Sequence, residues 1–434
     1  MKTKYFVTFL TVVLIVFSFT NIYASDNLTI YSKAAIAIDA DSLNLLYGKN
    51  IDTKIYPASI TKIMTAILTI ENLDLSKEVV VSKTAIKIPW DSSSIYLKEG
   101  EILTVEELLY GLLLNSGNDA ANVLAEAVSG NIHDFVTLMN AKAKDLNCTG
   151  TNFVNAHGYS HDNHYSTALD IVKIFDYCTK NETFMKIIST KSYVIQETNK
   201  TKTKRYLNNT NRLILTKEES VYSRYYKYAI GGKTGYTDEA GRTLVTIGEK
   251  DGKKVIIAVF KAGQVNGKDA RYTDAINLFE YSFNNYNKIN FANNEHFNFT
   301  YTNYNNKLKY NFSVHDNLEL MIKNDEDVID VSYSLNLDEN VINSAAETNF
   351  KNNVVGTISF TIHTSSNIYT LEHNLYLDSV SSFSLINSSN YKIWIAGCAG
   401  FLSLLVVTIL IFIQKNKNKT KRKNRQINNL KKQY

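Results

Sequence analysis

The sequence has 434 residues, enough for two or three domains of about 150 residues each. Hydrophobic residues make up 44% and charged residues 21%, which excludes wholesale disorder and a polytopic membrane protein. Eleven of the 47 Lys and Arg lie in residues 1–24 and 414–434, which contain no acid, so 36 bases face 42 acids between these ends. This balance predicts no basic surface and no nucleic-acid partner.

The first 24 residues have the pattern of a secretory signal peptide. Lys2 and Lys4 precede an apolar run from Tyr5 to Phe19, and Ala24 supplies a small residue at the cleavage point. We therefore expect residues 1–24 to be removed on export, with the rest of the protein beginning outside the cytoplasm.

The next segments alternate between strand and helix signals. Residues 33–47 contain two short apolar runs around a turn, which predicts a β-hairpin. Apolar residues at helical spacing after Pro57 predict a helix. Thr104 with Glu107 predicts a capping box on a helix that ends at Leu114. Another helix is expected from Asp119 to Gly130.

Two long apolar runs flank Asp251-Gly252, a pair typical of a type I′ hairpin turn. Strands at both ends of residues 28–285, with helices between them, indicate an α+β domain. In such a domain the terminal strands share one sheet and the helices pack on it.

The last part of the chain changes character. Residues 290–385 alternate apolar with polar side chains and predict a small all-β domain. Residues 393–413 carry no charge and, at 1.5 Å per residue, are long enough to cross a hydrocarbon core of about 30 Å. The basic run that follows predicts a cytoplasmic tail at 414–434 by the positive-inside rule. We therefore expect a single-pass anchor in the cell membrane, with the catalytic domain on the extracytoplasmic side.

Cysteine and histidine suggest no further chemistry. Three cysteines are too few for a disulfide framework, and Cys148 and Cys178 are expected to be buried free thiols, although pairing stays open. His161 and His164 match no metal-binding spacing and are expected to be polar loop residues. No metal or cofactor is predicted.

Ser59-Ile60-Thr61-Lys62 is the first of three motifs that carry chemistry. It opens a strongly apolar helix, so Lys62 is expected to be buried, and Ser59 lies at the helix N-terminus where backbone N–H groups gather positive potential. The two residues share one face, since they are three apart. A desolvated lysine has a lowered pKa and can act as a general base toward a serine.

The other two motifs are Ser116-Gly117-Asn118, between two predicted helices, and Lys233-Thr234-Gly235, on a predicted strand. The Ser116 hydroxyl can pass a proton between Lys62 and a leaving amine, and the Asn118 amide can hold a peptide group of a substrate. Lys233 brings positive charge to a carboxylate. Taken alone, Ser116-Gly117-Asn118 is more simply a helix stop and restart, and Lys233 could be a solvated lysine on a strand.

Taken together the motifs resemble those of the D-alanyl-D-alanine carboxypeptidases among the low-molecular-mass penicillin-binding proteins. The resemblance covers about residues 30–285, in family order, and includes YPASITKIMTA, the stretch from YLKEGEIL to NVLAEAVSG, TNFVNAHGY and GGKTGYTDEAGRTLV. It implies the fold of the serine β-lactamases and penicillin-binding transpeptidases, a sheet flanked by helices, followed by a β-rich domain. The family's NPHG segment is Asn155-Ala156-His157-Gly158 here.

The resemblance also implies roles for particular residues. Ser59 is the nucleophile, Lys62 the base and Ser116 the proton carrier. Backbone N–H groups of Ser59 and Tyr236 are expected to form the oxyanion hole. The substrate-binding residues implied by the family are Asn118, Lys233, Thr234, Gly235, Tyr236 and Arg271.

The expected reaction is removal of the terminal D-alanine from a peptidoglycan stem peptide, with penicillins acylating the same serine. Two alternatives remain at this point. A class A β-lactamase shares the three motifs but needs a further glutamate to activate water, and none is suitably placed around residues 157–170. A catalytically silent wall-binding scaffold would use the β domain instead.

Overall fold

A computed structural model describes residues 28–291, 298–303, 308–315, 318–338 and 354–382. The predicted signal peptide, the span at 393–413 and the tail at 414–434 lie outside the described residues. Within the described ranges there is no helix whose length and apolar character would let it span a bilayer.

Five antiparallel strands form the central sheet in the order β2-β1-β9-β8-β7. They are β1 Ala34–Asp39, β2 Leu45–Lys49, β7 Ala229–Thr237, β8 Gly241–Lys250 and β9 Lys253–Ala262. The β1–β9 pairing, with Ala35 opposite Val259, joins the first strands of the domain to the last. This confirms the sheet expected from terminal strands.

The β8–β9 turn has the predicted chemistry. Lys250 pairs with Lys253, so the turn consists of Asp251 and Gly252. Both residues have positive φ, +52° and +77°, as a type I′ turn requires.

Seven helices fill the segments between and after these strands. Thr104 caps one of them by a complete capping box with Glu107, as predicted. The helix predicted from Asp119 begins one residue earlier and ends at Gly130, which has left-handed φ. The helices are α1 Lys62–Asn72, α2 Val105–Leu113, α3 Asn118–Ser129, α4 Ile132–Asp145, α5 Ala168–Thr179, α6 Glu182–Ser189 and α7 Ala270–Asn285.

The sheet is buried on both faces, which explains why every residue of β1 is buried. Alternate side chains of a strand point to opposite faces. Ala34, Ile36 and Ile38 pack with the cluster of α1 to α6, whereas Ala35 and Ala37 pack with α7. Cys148 and Cys178 are both buried and free.

The remaining strands form smaller sheets and the β-rich part of the chain. Three two-stranded sheets accompany the helices: β3 Glu78–Val80 with β4 Ile102–Thr104, β5 Ser192–Ile195 with β6 Arg205–Asn208, and β10 Gln264–Val265 with β11 Lys268–Asp269. The strands after α7 are β12 Tyr286–Asn290, β13 Asn298–Asn303, β14 Leu308–Ser313, β15 Glu319–Lys323, β16 Val328–Leu337, β17 Val354–Thr364 and β18 Ile368–Ser382. Strand β12 pairs with β15, and the other five follow the order β13-β14-β18-β17-β16. The described residues after 290 therefore form strands, as predicted.

The chain divides into two compact units, Met1–Phe299 with Phe312–Asp378, and Thr300–Asn311 with Ser379–Tyr434. In the first unit, β15 contacts the β1–β2 turn. The Met321 N–H donates to Asp39 (3.2 Å), and its carbonyl accepts from Asn44 (3.1 Å). Lys288 forms ion pairs with Asp41 and Glu319, at 2.7 and 2.5 Å. These bonds fix β12 and β15 against the β2 edge of the central sheet, which is the edge opposite β7.

Candidate active site

Ser59 lies in a 3-10 turn, Ala58–Thr61, that leads directly into α1. Ala58 has a φ of +50°, a conformation that L-residues rarely adopt, and is fully buried. Ser59 is partly exposed and lines a cleft of about 920 Å³. The strained turn therefore presents one hydroxyl to the cleft while its neighbours are held in the core.

Lys62 is fully buried one turn further on. Its Nζ lies 3.0 Å from Ser59 Oγ, 2.6 Å from Asn118 Oδ1 and 2.6 Å from the His157 carbonyl oxygen. Burial, reinforced by the charge of Lys233, lowers the pKa of Lys62 well below its usual value. The expectation of a desolvated lysine in contact with Ser59 is met by this geometry.

Ser116 and Lys233 form the second contact of the site. Ser116 has a φ of +62°, and its hydroxyl accepts from Lys233 Nζ at 3.1 Å. Lys233 is fully buried on β7 and also donates to the Thr234 carbonyl, at 2.9 Å. Burial, together with the nearby Arg271 charge, lowers the pKa of Lys233 to about 7.

Asn118 differs in part from the expectation. Its side-chain oxygen accepts from Lys62, so the amide orients the lysine as well as lining the cleft. The Asn118 N–H, at the start of α3, donates to the Ser93 carbonyl at 2.8 Å. The segment around Ser93 therefore holds this residue in place.

Gly235 lets β7 pass directly beside Ser59. A Cβ at this position would lie 2.4 Å from Thr243 Oγ1 and 3.0 Å from the Ser59 nitrogen, so only glycine fits without displacing a neighbour. The backbone of β7 thus borders the Ser59 amide, where the oxyanion hole was expected. Tyr236, the next residue, has an exposed side chain that donates to Asp238 (2.8 Å).

Arg271 opens α7 and lines the cleft. Its guanidinium pairs with Asp269 at 3.0 Å, and Arg242 pairs with the same carboxylate at 3.3 Å. Two arginines on one aspartate leave a net positive charge. With Lys233 nearby, this end of the cleft favours an anion.

A loop from Val154 to His164, whose roles the sequence did not indicate, closes the site. Gly158 has a φ of +86°, and a Cβ there would lie 1.9 Å from the Ala58 carbonyl oxygen, so the loop packs directly on the 3-10 turn that carries Ser59. His164 is only 1% exposed, which corrects the expectation of a polar loop residue. Its Nδ1 accepts from the Val154 N–H (3.1 Å), so Nε2 carries the proton and faces Thr61 Oγ1 at 2.8 Å.

The cleft brings together most of the predicted site. Seven of the nine residues line it, and the two lysines lie buried behind them: Ser59, Ser116, Asn118, Thr234, Gly235, Tyr236 and Arg271, with Lys62 and Lys233. Thr210, which no motif marked, bonds the Thr234 hydroxyl at 2.7 Å. Within the described ranges no group of three or more His, Cys, Asp or Glu is arranged to hold a metal ion.

A serine beside a buried lysine, at the edge of a sheet packed against helices, defines a serine-type hydrolase. Residues 21–264, more than half of the chain, match the model of peptidase family S11, D-alanyl-D-alanine carboxypeptidase. The chain belongs to this family.

Two individual relatives are D-alanyl-D-alanine carboxypeptidases as well. The chain is 36% identical over 261 residues to the D-alanyl-D-alanine carboxypeptidase DacF of Bacillus subtilis, covering 59% of this chain and 63% of that protein. It is 33% identical over 268 residues to the D-alanyl-D-alanine carboxypeptidase of Streptomyces strain K15, covering 88% of that protein.

Solved structures show the same fold. A D-alanyl-D-alanine carboxypeptidase of Mycobacterium tuberculosis H37Rv superposes with a TM-score of 0.54 at 30% identity, covering 62% of this chain and 94% of that one. The Streptomyces K15 DD-transpeptidase superposes with a TM-score of 0.53 at 33% identity, covering 59% and 98%. These matches confirm the predicted sheet flanked by helices.

The buried imidazole of His164 predicts acid lability. Burial lowers the pKa of His164 to about 3, so the unfolded chain binds a proton between pH 6.5 and 3 that the folded chain does not. The folded protein is therefore destabilised as the pH falls, and its free energy of unfolding should drop by about 2 kcal/mol between pH 7 and 5. The variant His164→Asn keeps an amide oxygen that can accept from Val154. Measured by urea unfolding, its loss of stability on acidification should be smaller than that of the unmodified protein by this amount.

The exposed His133 supplies a matched control, because His133→Asn removes an imidazole that solvent already reaches. Its stability should follow that of the unmodified protein at both pH values. An equal loss of stability between pH 7 and 5 in all three proteins would show that His164 does not contribute to the pH dependence.

Proposed function

We propose that the protein is a D-Ala-D-Ala carboxypeptidase that removes the terminal D-alanine of peptidoglycan stem peptides through an acyl-enzyme on Ser59. The observation that carries the proposal is the 3.0 Å contact between Ser59 Oγ and a fully buried Lys62. Membership of the family supports the substrate class.

The hydrogen-bond pattern around Lys62 suits a neutral amine that acts as a base. Such an amine has two N–H donors and one lone pair. Asn118 Oδ1 and the His157 carbonyl, each at 2.6 Å, are acceptors only, so they take the two donors. The lone pair then faces Ser59 Oγ, and the lowered pKa of Lys62 favours this neutral form.

The chemical steps follow from this arrangement. Lys62 takes the Ser59 proton as Oγ forms a bond to the carbonyl carbon of the penultimate D-alanine. The oxyanion lies toward the N–H groups of Ser59 and Tyr236. The Lys62 proton passes through Ser116 to the departing amine, and D-alanine leaves. Water then attacks the ester, with Lys62 again accepting a proton, and frees Ser59.

Substrate selection is assigned to the positive end of the cleft. A carboxypeptidase substrate differs from an internal peptide by its free terminal carboxylate. Arg271 and the Thr234 hydroxyl line the cleft here, and Lys233 lies buried behind them, so the charge balance favours an anion. We assign binding of the substrate's terminal carboxylate to this positive end of the cleft.

The same observations give less support to the two alternative functions, a class A β-lactamase and a catalytically silent scaffold. The loop that packs on Ser59 offers Lys62 a backbone carbonyl, from His157, rather than the glutamate that a class A β-lactamase uses to activate water. A silent scaffold would have no need of two fully buried lysines beside an accessible serine.

Loss of the nucleophile tests the mechanism directly. Ser59→Ala should abolish both release of D-alanine and covalent labelling by a fluorescent penicillin. Lys62→Arg should be nearly as inactive, because guanidinium does not give up a proton near neutral pH. Circular dichroism serves as the folding control. Normal labelling of folded Ser59→Ala would refute the assignment, and rapid release of hydrolysed penicillin by the unmodified protein would favour a β-lactamase.

A second test separates carboxylate binding from acylation. A charge-assisted hydrogen bond contributes about 1.5–3 kcal/mol, so Arg271→Ala should lower kcat/KM about 10 to 150-fold on peptides ending in free D-Ala-D-Ala. An ester substrate without that carboxylate should be affected far less. Arg242→Ala is the matched control, since Arg242 shares Asp269 but does not line the cleft. An equal loss on both substrates would assign Arg271 a structural role.

We further propose that the protein is exported and anchored by residues 393–413, as the sequence predicts. Protease added to cells stripped of their wall should then remove the catalytic domain and leave the basic tail protected. A chain ending at Ser389 should be secreted in soluble, penicillin-binding form. Retention of that shortened chain on the membrane would show that another surface supplies the anchorage.

A further inference from the structure

Two aromatic side chains are unusually exposed near the cleft. Trp90 is 96% exposed and Tyr222 is 64% exposed. A tryptophan is normally largely buried in a folded protein, so one that is almost wholly in water suggests a surface kept for binding.

Trp90 is tied to one wall of the cleft. It lies in a turn in which the Ser92 N–H donates to the Pro89 carbonyl at 3.1 Å. Asp91, Ser92 and Ser93, the next three residues, line the cleft. Since Ser93 accepts from the Asn118 N–H, Trp90 is three residues from a direct contact with the active site.

Tyr222 lies on a second loop that borders the same cleft. Leu215, Glu219 and Ser220 of this loop line the cleft, as does Tyr222 itself. An ion pair of Glu219 with Lys191 (2.8 Å) holds the loop, and the Arg212 guanidinium lies 4.9 Å from the Tyr222 ring centre. The ring is thus held by its neighbours while most of its surface stays in water.

The cleft is also larger than its reaction requires. Pockets of about 300–1,000 Å³ accommodate drug-sized ligands, so 920 Å³ leaves room for much more than two alanine residues. Its lining beyond the catalytic residues is rich in hydroxyls and amides, including Ser92, Asn208 and Ser220.

We propose that Trp90 and Tyr222 bind the glycan chain of peptidoglycan, with sugar rings stacking on the two side chains. This inference rests on the proposed function. An aromatic ring offers a flat apolar face with which the C–H face of a sugar can pack, and hydroxyls and amides satisfy the sugar's polar groups. The glycan joins the stem peptide at the end opposite the D-alanines. It must therefore bind at the mouth of the cleft rather than beside Ser59.

The residues around the two rings favour a glycan over a lipid surface. Membrane-binding surfaces combine aromatic residues with Lys and Arg, which attract anionic headgroups. Trp90 is followed by Asp91 and three serines, and Tyr222 lies between Val221 and Ser223, with Glu218, Glu219 and Ser220 just before them. Because Glu219 is paired with Lys191 and Arg212 lies beside Tyr222, the charges around the rings are mixed, unlike the basic set that binds an anionic bilayer.

The test compares one pentapeptide free and attached to short glycan chains. The unmodified protein should hydrolyse the attached form with a kcat/KM at least tenfold higher. Trp90→Ala and Tyr222→Ala should each lower that preference several-fold, and the double variant should bring it within twofold of unity. Hydrolysis of the free peptide and acylation by penicillin should change less than twofold. Tyr31→Ala, an exposed tyrosine hydrogen-bonded to α7 through its backbone only, is the matched control.

A binding measurement makes the result independent of catalysis. Full-length Ser59→Ala should sediment with isolated insoluble peptidoglycan, and adding Trp90→Ala should weaken this binding about tenfold. The proposal fails if the unmodified protein shows no preference for the attached peptide, if both substrates lose rate equally, or if Trp90→Ala affects only binding to anionic lipid vesicles. A protein that binds glycan but hydrolyses neither peptide would refute the proposed function and leave this surface supported.

Discussion

Lys62 has no access to water, and three oxygen atoms surround its amine. Removing a lysine from water disfavours its charged form, and the fully buried Lys233 adds repulsion to that effect. The remainder of the site is arranged around this one group. Helix α3 brings Asn118, the loop after Val154 brings a carbonyl, and the 3-10 turn brings Ser59.

Several residues adopt costly backbone conformations to make this arrangement possible. Ala58 and Ser116 both have positive φ, and such positions are populated only when the surrounding structure enforces them. At Ala58 close packing enforces the positive φ, since Gly158 and Gly235 allow two neighbouring segments to approach the 3-10 turn that carries Ser59. The glycines of the family motifs are therefore explained by space as much as by flexibility.

Local signals allowed much of the fold to be predicted from the sequence. The capping box at Thr104 and the turn at Asp251 depend on neighbours within four residues. The local residue types therefore specify both structures. The three motifs likewise identified residues that the structure brings to one cleft. The sequence did not reveal features of the site that depend on backbone groups or on side-chain packing. The His157 carbonyl is like any other carbonyl, and the rotamer that turns Asn118 toward Lys62 depends on packing.

The pairing of β1 with β9 has a consequence for how the protein is made. Strand β1 pairs locally with β2, but its other partner, β9, is synthesised only after more than two hundred further residues, and the Pro57 carbonyl before Ser59 accepts from Thr243 of β8. Contacts so distant in sequence form late in folding. A nascent chain that ends before residue 262 therefore has no complete sheet on which the turn that carries Ser59 can pack. Enzymatic competence should arise at once, when the last strand docks, rather than growing gradually with chain length.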